Sequence, residues 1–424
     1  MPDHTDAVLS EIKTDLAAGR ALLQNQQKTA CWVVGIAESL SLAETRRFVT
    51  YLERLSIPCG GILVNRYNGQ KKLLQQFRSL AQPTVMAPDL AAEPVGAAAL
   101  DSWLRQVTTQ AQSHEDITDL ITWPEKHSPG LPDFIEQGRR LVIVGGKGGV
   151  GKTTVAAAIG LGLAKAHPKT PIRAVSIDPA HSLGDALEQS LTHEPQRVTT
   201  NLTAQEIDAG QVLEQFRNDY LWELAAMMGG ETGSGDLQVA YGPEAWRQIV
   251  SQALPGIDEV LSLLALIDLL EQEEQALVVL DTAPTGHLLR FLAMPTALND
   301  WLSWIFKLWI KHQDVAGHTA LMGRLRQLRL RVVQAQKKLK DPGYTEFIGV
   351  VQHSRPVLAE AARLTQQLTA LGITQTYIIQ NRYQPDTPTT DARQFPEQTL
   401  VCLPEIPHGI PPLAQTKGAA RLLF

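Results

Sequence analysis

The sequence predicts an α/β fold: a doubly wound, mostly parallel sheet with an α-helical insert, preceded by a partial second copy of the same fold. Three observations carry this. Short β-branched apolar runs alternate with amphipathic stretches, as strands covered on both faces alternate with helices. A glycine-rich turn separates one such run from a long apolar helix. Several tripeptides also recur at one fixed separation, the signature of a duplicated module.

The elements follow in chain order. A strand at residues 32–36 leads into an amphipathic helix, a strand at 61–64 and a short strand ending at Pro88. The same series returns at 347–351, 376–380 and the strand ending at Pro404, with Leu358, Ala361, Ala362, Leu368 and Leu371 marking one buried helical face. Leu42-Ala43-Glu44 matches Leu358-Ala359-Glu360, Asn65-Arg66-Tyr67 matches Asn381-Arg382-Tyr383, and Ala87-Pro88-Asp89 matches Leu403-Pro404-Glu405 in one register. The first copy lacks a front half. We therefore expect a partial module over 1–112, a polar linker over 113–139 carrying Pro124, Pro129, Gly130 and Pro132, and a complete module over 140–424. The helical insert is expected at about residues 200–340.

The complete module opens with an apolar strand at 140–144, the turn Gly146-Lys147-Gly148-Gly149-Val150-Gly151-Lys152-Thr153-Thr154, and a helix from Val155. A glycine-rich turn between strand and helix is the context a phosphate-binding loop requires. Gly146, Gly148, Gly149 and Gly151, with Val150, let the backbone turn its N–H groups towards phosphate oxygens at a helix N-terminus. Lys152 would reach the β- and γ-phosphates of ATP, and Thr153, next to Thr154, would hold Mg²⁺. Lys147 is a second lysine inside the loop.

Two later segments place carboxylates at the ends of buried strands, where ligands bind in open α/β sheets. The strand at 173–177 precedes Asp178-Pro179-Ala180-His181-Ser182-Leu183-Gly184-Asp185. The strand at 276–280 precedes Asp281-Thr282-Ala283-Pro284-Thr285-Gly286-His287. Asp281 suits the outer coordination of Mg²⁺; Asp178 and Asp185 are candidates for positioning the metal and the attacking water. His181 and His287 have no third ligand at a useful spacing and are assigned no metal.

Composition narrows the class. The chain of 424 residues is 44% hydrophobic and 19% charged, with a net charge of -6, which gives no electrostatic reason to expect nucleic acid as a partner. Three scattered cysteines, Cys31, Cys59 and Cys402, suit a reducing cytoplasm and small core positions. The polar start is unlike a signal or transit peptide, and the longest apolar stretches are too short to span a bilayer, so a soluble cytoplasmic protein is expected.

These motifs resemble the family of arsenical-pump (ArsA-type) ATPases and tail-anchored-protein targeting ATPases. The resemblance rests on residues 145–154 (GGKGGVGKTT), 178–185 (DPAHSLGD), 281–290 (DTAPTGHLLR) and 255–264 (PGIDEVLSLL), with residues 35–47 (GIAESLSLAETRR) in the partial copy. It implies that Lys147 crosses a dimer interface to the partner's phosphates and that Asp185 orients the hydrolytic water. It also implies that Asn381, Leu403 and Pro404 border the adenine. A homodimer, or pairing with another ArsA-like subunit, is then expected, because this chain holds one complete module. Two departures bear on partners. The targeting branch holds zinc through a CxxC after the Asn381 strand, but residues 384–399 contain no cysteine, so no zinc is expected. The arsenical branch binds metalloid through thiolates in its insert, yet residues 199–285 contain none.

The insert is strongly apolar. Leu261, Leu263, Leu264, Leu266, Ile267, Leu269 and Leu270 surround one helix, which predicts burial. Residues 301–310 hold three of the eight tryptophans, and Trp301, Trp304, Ile305 and Leu308 form one stripe. Together with residues 212–228, edged by the glycine-rich 229–235, they read as either a core helix or a groove for an apolar helical client. The expectation is a Mg-ATP-hydrolysing ATPase whose closure switches client binding. The alternatives are the energising subunit of an arsenite or anion efflux pump and a nucleotide-binding scaffold without turnover.

Overall fold

The computed structural model describes residues 4–81, 83–90, 94–109, 123–178, 182–216, 218, 257–271, 275–311, 319–384, 394–407 and 410–424. The chain divides into two units, Met1–Thr122 with Pro407–Pro412, and Trp123–Ile406 with Leu413–Phe424.

The smaller unit runs α1 (His4–Gln24), β1 (Cys31–Ile36), α2 (Ser39–Arg54), β2 (Cys59–Tyr67), α3 (Lys71–Arg78), β3 (Thr84–Pro88) and α4 (Ala97–Leu104). Its three strands form a parallel sheet in the order β1-β2-β3. Helix α2 buries Leu42, Thr45, Val49 and Leu52, a three-to-four-residue spacing that fixes one face. That face packs with Val33, Ile62, Val64, Phe77 and Met86 into a single core.

The larger unit begins with β4 (Leu141–Gly145), α5 (Lys152–Ala166), β5 (Ile172–Ser176), α6 (Leu183–Leu187), β6 (Gln196–Arg197), β7 (Leu202–Glu206) and α7 (Ala209–Phe216). It continues through α8 (Ile257–Glu271), β8 (Leu277–Asp281), α9 (Thr285–Lys311), α10 (Thr319–Lys340), β9 (Thr345–Val351), α11 (Arg355–Leu371), β10 (Gln375–Tyr383), β11 (Thr399–Pro404) and α12 (Pro412–Leu423). The eight strands lie in the order β11-β10-β9-β4-β8-β5-β7-β6, parallel except where β6 meets β7. Strand β4 is central, with β9 on one side and β8 on the other. The chain leaves β4 towards β5 and later returns to β9, so the direction of winding reverses beside β4. Ligands of such sheets bind there, outside the strands' carboxyl ends.

Buried leucines of α8, α9 and α10 form the largest core cluster against the sheet. Leu263, Leu264, Leu266, Ile267, Leu269 and Leu270 are all buried, in line with the all-round apolar pattern; the side chain of Leu261 lies outside the described residues. Each fully buried leucine contributes roughly 1.5–3 kcal/mol.

Two stretches differ from the expected layout. Leu202–Glu206, expected at the front of the helical insert, is strand β7 of the sheet, paired with β5 on one side and with β6 on the other. Its residues Thr203, Gln205 and Glu206 are polar, so apolar periodicity hid it. The second half of the expected linker is packed on the larger unit. Phe134 is fully buried and meets Tyr377 edge-on at 5.9 Å, the Leu131 N–H donates to the Leu423 carbonyl at 2.7 Å, and Trp123 stacks under Arg421. Prolines and polar residues there give an irregular strap whose anchors are isolated aromatic and aliphatic side chains.

The two copies coincide in detail. At the end of β2 the Arg66 N–H donates to Asn65 Oδ1 at 2.9 Å with Arg66 at φ 52°; at the end of β10 the Arg382 N–H donates to Asn381 Oδ1 at 2.9 Å with Arg382 at φ 56°. Left-handed arginines are uncommon, and both strand pairs shift register there.

Candidate active site

The loop between β4 and α5 depends on three left-handed glycines, Gly146 (φ 151°), Gly149 (φ 79°) and Gly151 (φ 95°). A side chain on Gly146 would run into the Val350 carbonyl of β9, and one on Gly151 into the Asn381 amide. Thus β9 and β10 press against the loop from one side. Asn381 Nδ2 donates to the Val150 carbonyl at 2.8 Å, and Gln352 Nε2 to the Gly149 carbonyl at 3.2 Å.

Lys152 begins helix α5 and is buried; its ammonium donates to the Lys147 carbonyl at 3.4 Å. Lys147 points the other way. Its ammonium lies 3.8 Å from Glu360 on α11, and its side chain is 39% exposed, so it remains within reach of groups outside the loop. Thr154 follows in the first turn of α5.

Opposite the loop, Asp281 ends β8 and is fully buried. Its Oδ2 accepts from Thr153 Oγ1 at 2.9 Å and Ser176 Oγ at 3.1 Å, while Oδ1 is buried with no hydrogen-bond partner among the described residues. Burial pushes the Asp281 carboxyl up to about 7; attraction from Lys152 opposes this and repulsion from Asp178 adds to it. Thr153 Oγ1 also lies 3.0 Å from Ser182 Oγ, drawing the segment before α6 towards the loop. Asp178 follows β5, its N–H donating to Ser176 Oγ at 3.3 Å. Asp185 lies in α6, the short helix that follows. Thr282 Oγ1 donates to the Val144 carbonyl at 2.7 Å, locking the end of β8 to β4.

The expected site residues therefore fall into three groups. Lys152, Thr153, Asp178 and Asp281 converge on one point beside the loop glycines. Asn381 grips the loop itself, and Leu403 pairs with it across β10 and β11, next to Pro404. Lys147 faces α11. His287 is exposed at the start of α9, and His181 lies outside the described residues. Most of the expected client groove, including residues 219–256 and the side chains of Trp301 and residues 304–310, also lies outside them. Cys31, Cys59 and Cys402 are free and half-buried, and burial pushes the Cys402 thiol up.

Sequence reasoning missed Ser176, Ser182, Gln352 and Glu360. Ser182 stands inside the motif at 178–185, and Glu360 inside the repeated Leu-Ala-Glu. Ser176 and Gln352 carry only the weak signal of a polar residue at the end of an apolar strand.

Loop, buried lysine, hydroxyl and strand-end carboxylate together define a P-loop nucleotide-binding site. Comparison with known proteins narrows the class. The anion-transporting ATPase (ArsA) family matches over residues 3–82 and 139–401, and the chain belongs to it. Among similar proteins, the ATPase GET3 of Candida glabrata is 32% identical over 269 residues, covering 60% of this chain and 75% of its own. The ATPase get3 of Neurospora crassa is 30% identical over 295 residues, 65% of this chain and 83% of its own. The ATPase GET3A of Arabidopsis thaliana is 32% identical over 262 residues, 58% and 68% respectively. The chain is an ArsA-family ATPase. No helix among the described residues is long and apolar enough to cross a membrane.

Proposed function

We propose that this ATPase hydrolyses Mg-ATP at the site between the loop and Asp281, and that closure of two complete modules on one another controls binding of an apolar helical client. The observation that carries the reading is the division of labour between the loop lysines. Lys152 is buried among the phosphate-binding groups, whereas Lys147 is half-exposed and directed away from them. A lysine so placed can serve a second site across an interface, as an arginine finger does. The partner is a second copy or another ArsA-like subunit, in the cytoplasm.

The residues present fit magnesium. Thr153, Asp281 and Asp178 offer only oxygen, as a hard cation requires, and Asp281 Oδ1 is a buried acceptor without a hydrogen-bond partner among the described residues. When bound, the ion would neutralise charge on the phosphates. Loop N–H groups and Lys152 hold the phosphates; Asn381, Leu403 and Pro404 border the adenine. Asp185 orients the attacking water.

The test is Lys147→Ala. Turnover is expected to fall on the order of 10³-fold, with nucleotide affinity within about 3-fold of the parent. Equal loss of both would refute the trans role. The family's anion-transporting description favours a second reading, an energising pump subunit. ATPase stimulation by an apolar-helix peptide supports the client reading, whereas stimulation by arsenite supports the pump.

A further inference from the structure

The complete module is an internal template for the partial one. Position by position, β1 corresponds to β9, β2 to β10 and β3 to β11, and the core residues Leu42, Leu52 and Ile62 correspond to Leu358, Leu368 and Ile378. Even the pairing is kept, Cys31 opposite Cys59 where Phe347 lies opposite Gln375. In both copies the third strand is a sheet edge. Only the first strand differs. Strand β9 pairs with β4 along its second side, whereas β1 has no second strand partner among the described residues.

The faces differ in the same place. Ile348 and Val350 are fully buried in β9, but their counterparts Trp32 and Val34 are 45% and 64% exposed. Residues 31–36 carry no charge, and a free, uncharged, β-branched edge is a template for strand addition. The loop-gripping group is retained as well. Asn65 is held by the Arg66 N–H as Asn381 is by that of Arg382, yet among the described residues its amide nitrogen donates to nothing.

We propose that the smaller unit is the acceptor half of a second module, completed by a strand-and-helix front half of this same fold. The occupant must supply a parallel strand for the β1 edge and a helix over Trp32 and Val34, with a glycine turn between them to meet Asn65. A second copy of this chain cannot supply these from its native fold. Its β4 is already paired on both sides, with β9 and β8. Antiparallel β1-to-β1 pairing would cover the edge and leave the face open.

The test co-expresses the tagged full chain with an untagged polypeptide spanning its own residues 139–340, which holds β4 and α5 but none of β9, β10 or β11. Co-purification of one such polypeptide per chain is expected, with at least 10-fold slower hydrogen exchange at the β1 amides. Val34→Asp, at an exposed position, is expected to cut capture at least 10-fold while the chain's circular dichroism and ATP turnover stay unchanged; Trp32→Lys should do the same. Capture that survives both substitutions would overturn the proposal, since the probe would then be entering the complete module. So would β1 amides already protected in the chain alone, in a dimer that Val34→Asp dissolves, because a second copy would then be the occupant. Absence of capture with freely exchanging β1 amides would overturn it too.

Discussion

Replacing Asp281 with asparagine separates what the site costs in stability from what it contributes to function. The carboxyl is fully buried, and desolvation pushes it from 3.8 to about 7 against the attraction of Lys152. The folded protein thus holds this proton more tightly than the unfolded chain does. The group's contribution is complete below about pH 4 and is lost as pH rises towards 7. At 1.36 kcal/mol per pH unit, the loss above pH 7 is on the order of 4 kcal/mol. Asparagine abolishes that ionisation and can still accept from Thr153 and Ser176 through its oxygen. Its NH₂ would take the place of Asp281 Oδ1, buried without an acceptor, at about 1–3 kcal/mol. The variant is therefore expected to be about 1–3 kcal/mol more stable than the parent at pH 8 and less stable at pH 4, the two curves crossing between. Urea unfolding followed by circular dichroism, without nucleotide or Mg²⁺, measures this at each pH. ATP turnover of the same variant is expected to be lost at every pH. A variant less stable than the parent at pH 8 would refute the reasoning, because it would mean that Lys152 outweighs burial and keeps Asp281 ionised.

Three further outcomes test the loop and its supports. Asn381→Ala removes the donor to the Val150 carbonyl, a bond of about 1 kcal/mol; calorimetric nucleotide affinity should fall roughly 5-fold while thermal stability barely changes. Gly146→Ala places a methyl group against the Val350 carbonyl at φ 151°, where strain is of order 1–3 kcal/mol. Nucleotide binding should be lost from a protein that still shows native-like circular dichroism. Asn201→Ala leaves the carbonyls of Ala164, His167 and Thr170 without the amide that caps the end of α5, so stability should drop by about 2–3 kcal/mol with nucleotide affinity unchanged.

What could be read in the sequence follows from which interactions are local. The loop was legible because its glycines, lysines and threonines are contiguous and its conformation is fixed by backbone angles that few other residues adopt. Asp281 and Asp178 were legible because an apolar β-branched run fixes where a strand ends, and a carboxylate just beyond it falls on the ligand side of the sheet. The repeat made β1, β2 and β3 legible twice, down to the asparagine–arginine pair at the strand end. Strand β7 was not legible, because Thr203, Gln205 and Glu206 break any apolar run in Leu202–Glu206, although Gln205 and Glu206 are themselves buried. The strap anchored by Leu131 and Phe134 was equally hidden, since its contacts lie hundreds of residues away at Leu423 and Tyr377.

The same distinction explains why the direction of Lys147 needed a structure. Composition places it beside Lys152, and two lysines five residues apart at a phosphate site would ordinarily repel and compete for one ligand. The fold removes the conflict by giving each a different counter-charge. Lys152 enters helix α5 beneath the loop and feels Asp281, while Lys147 sits on the outer arm and is met by Glu360 from α11. That contact is long and half-exposed, so it is worth at most about 1 kcal/mol. It is strong enough to bias where the side chain points and too weak to hold it against a fully charged phosphate. A lysine committed to its own chain's phosphates would instead be expected to be buried, as Lys152 is. The exposure of Lys147 is therefore the reason to look for its substrate contact on another module.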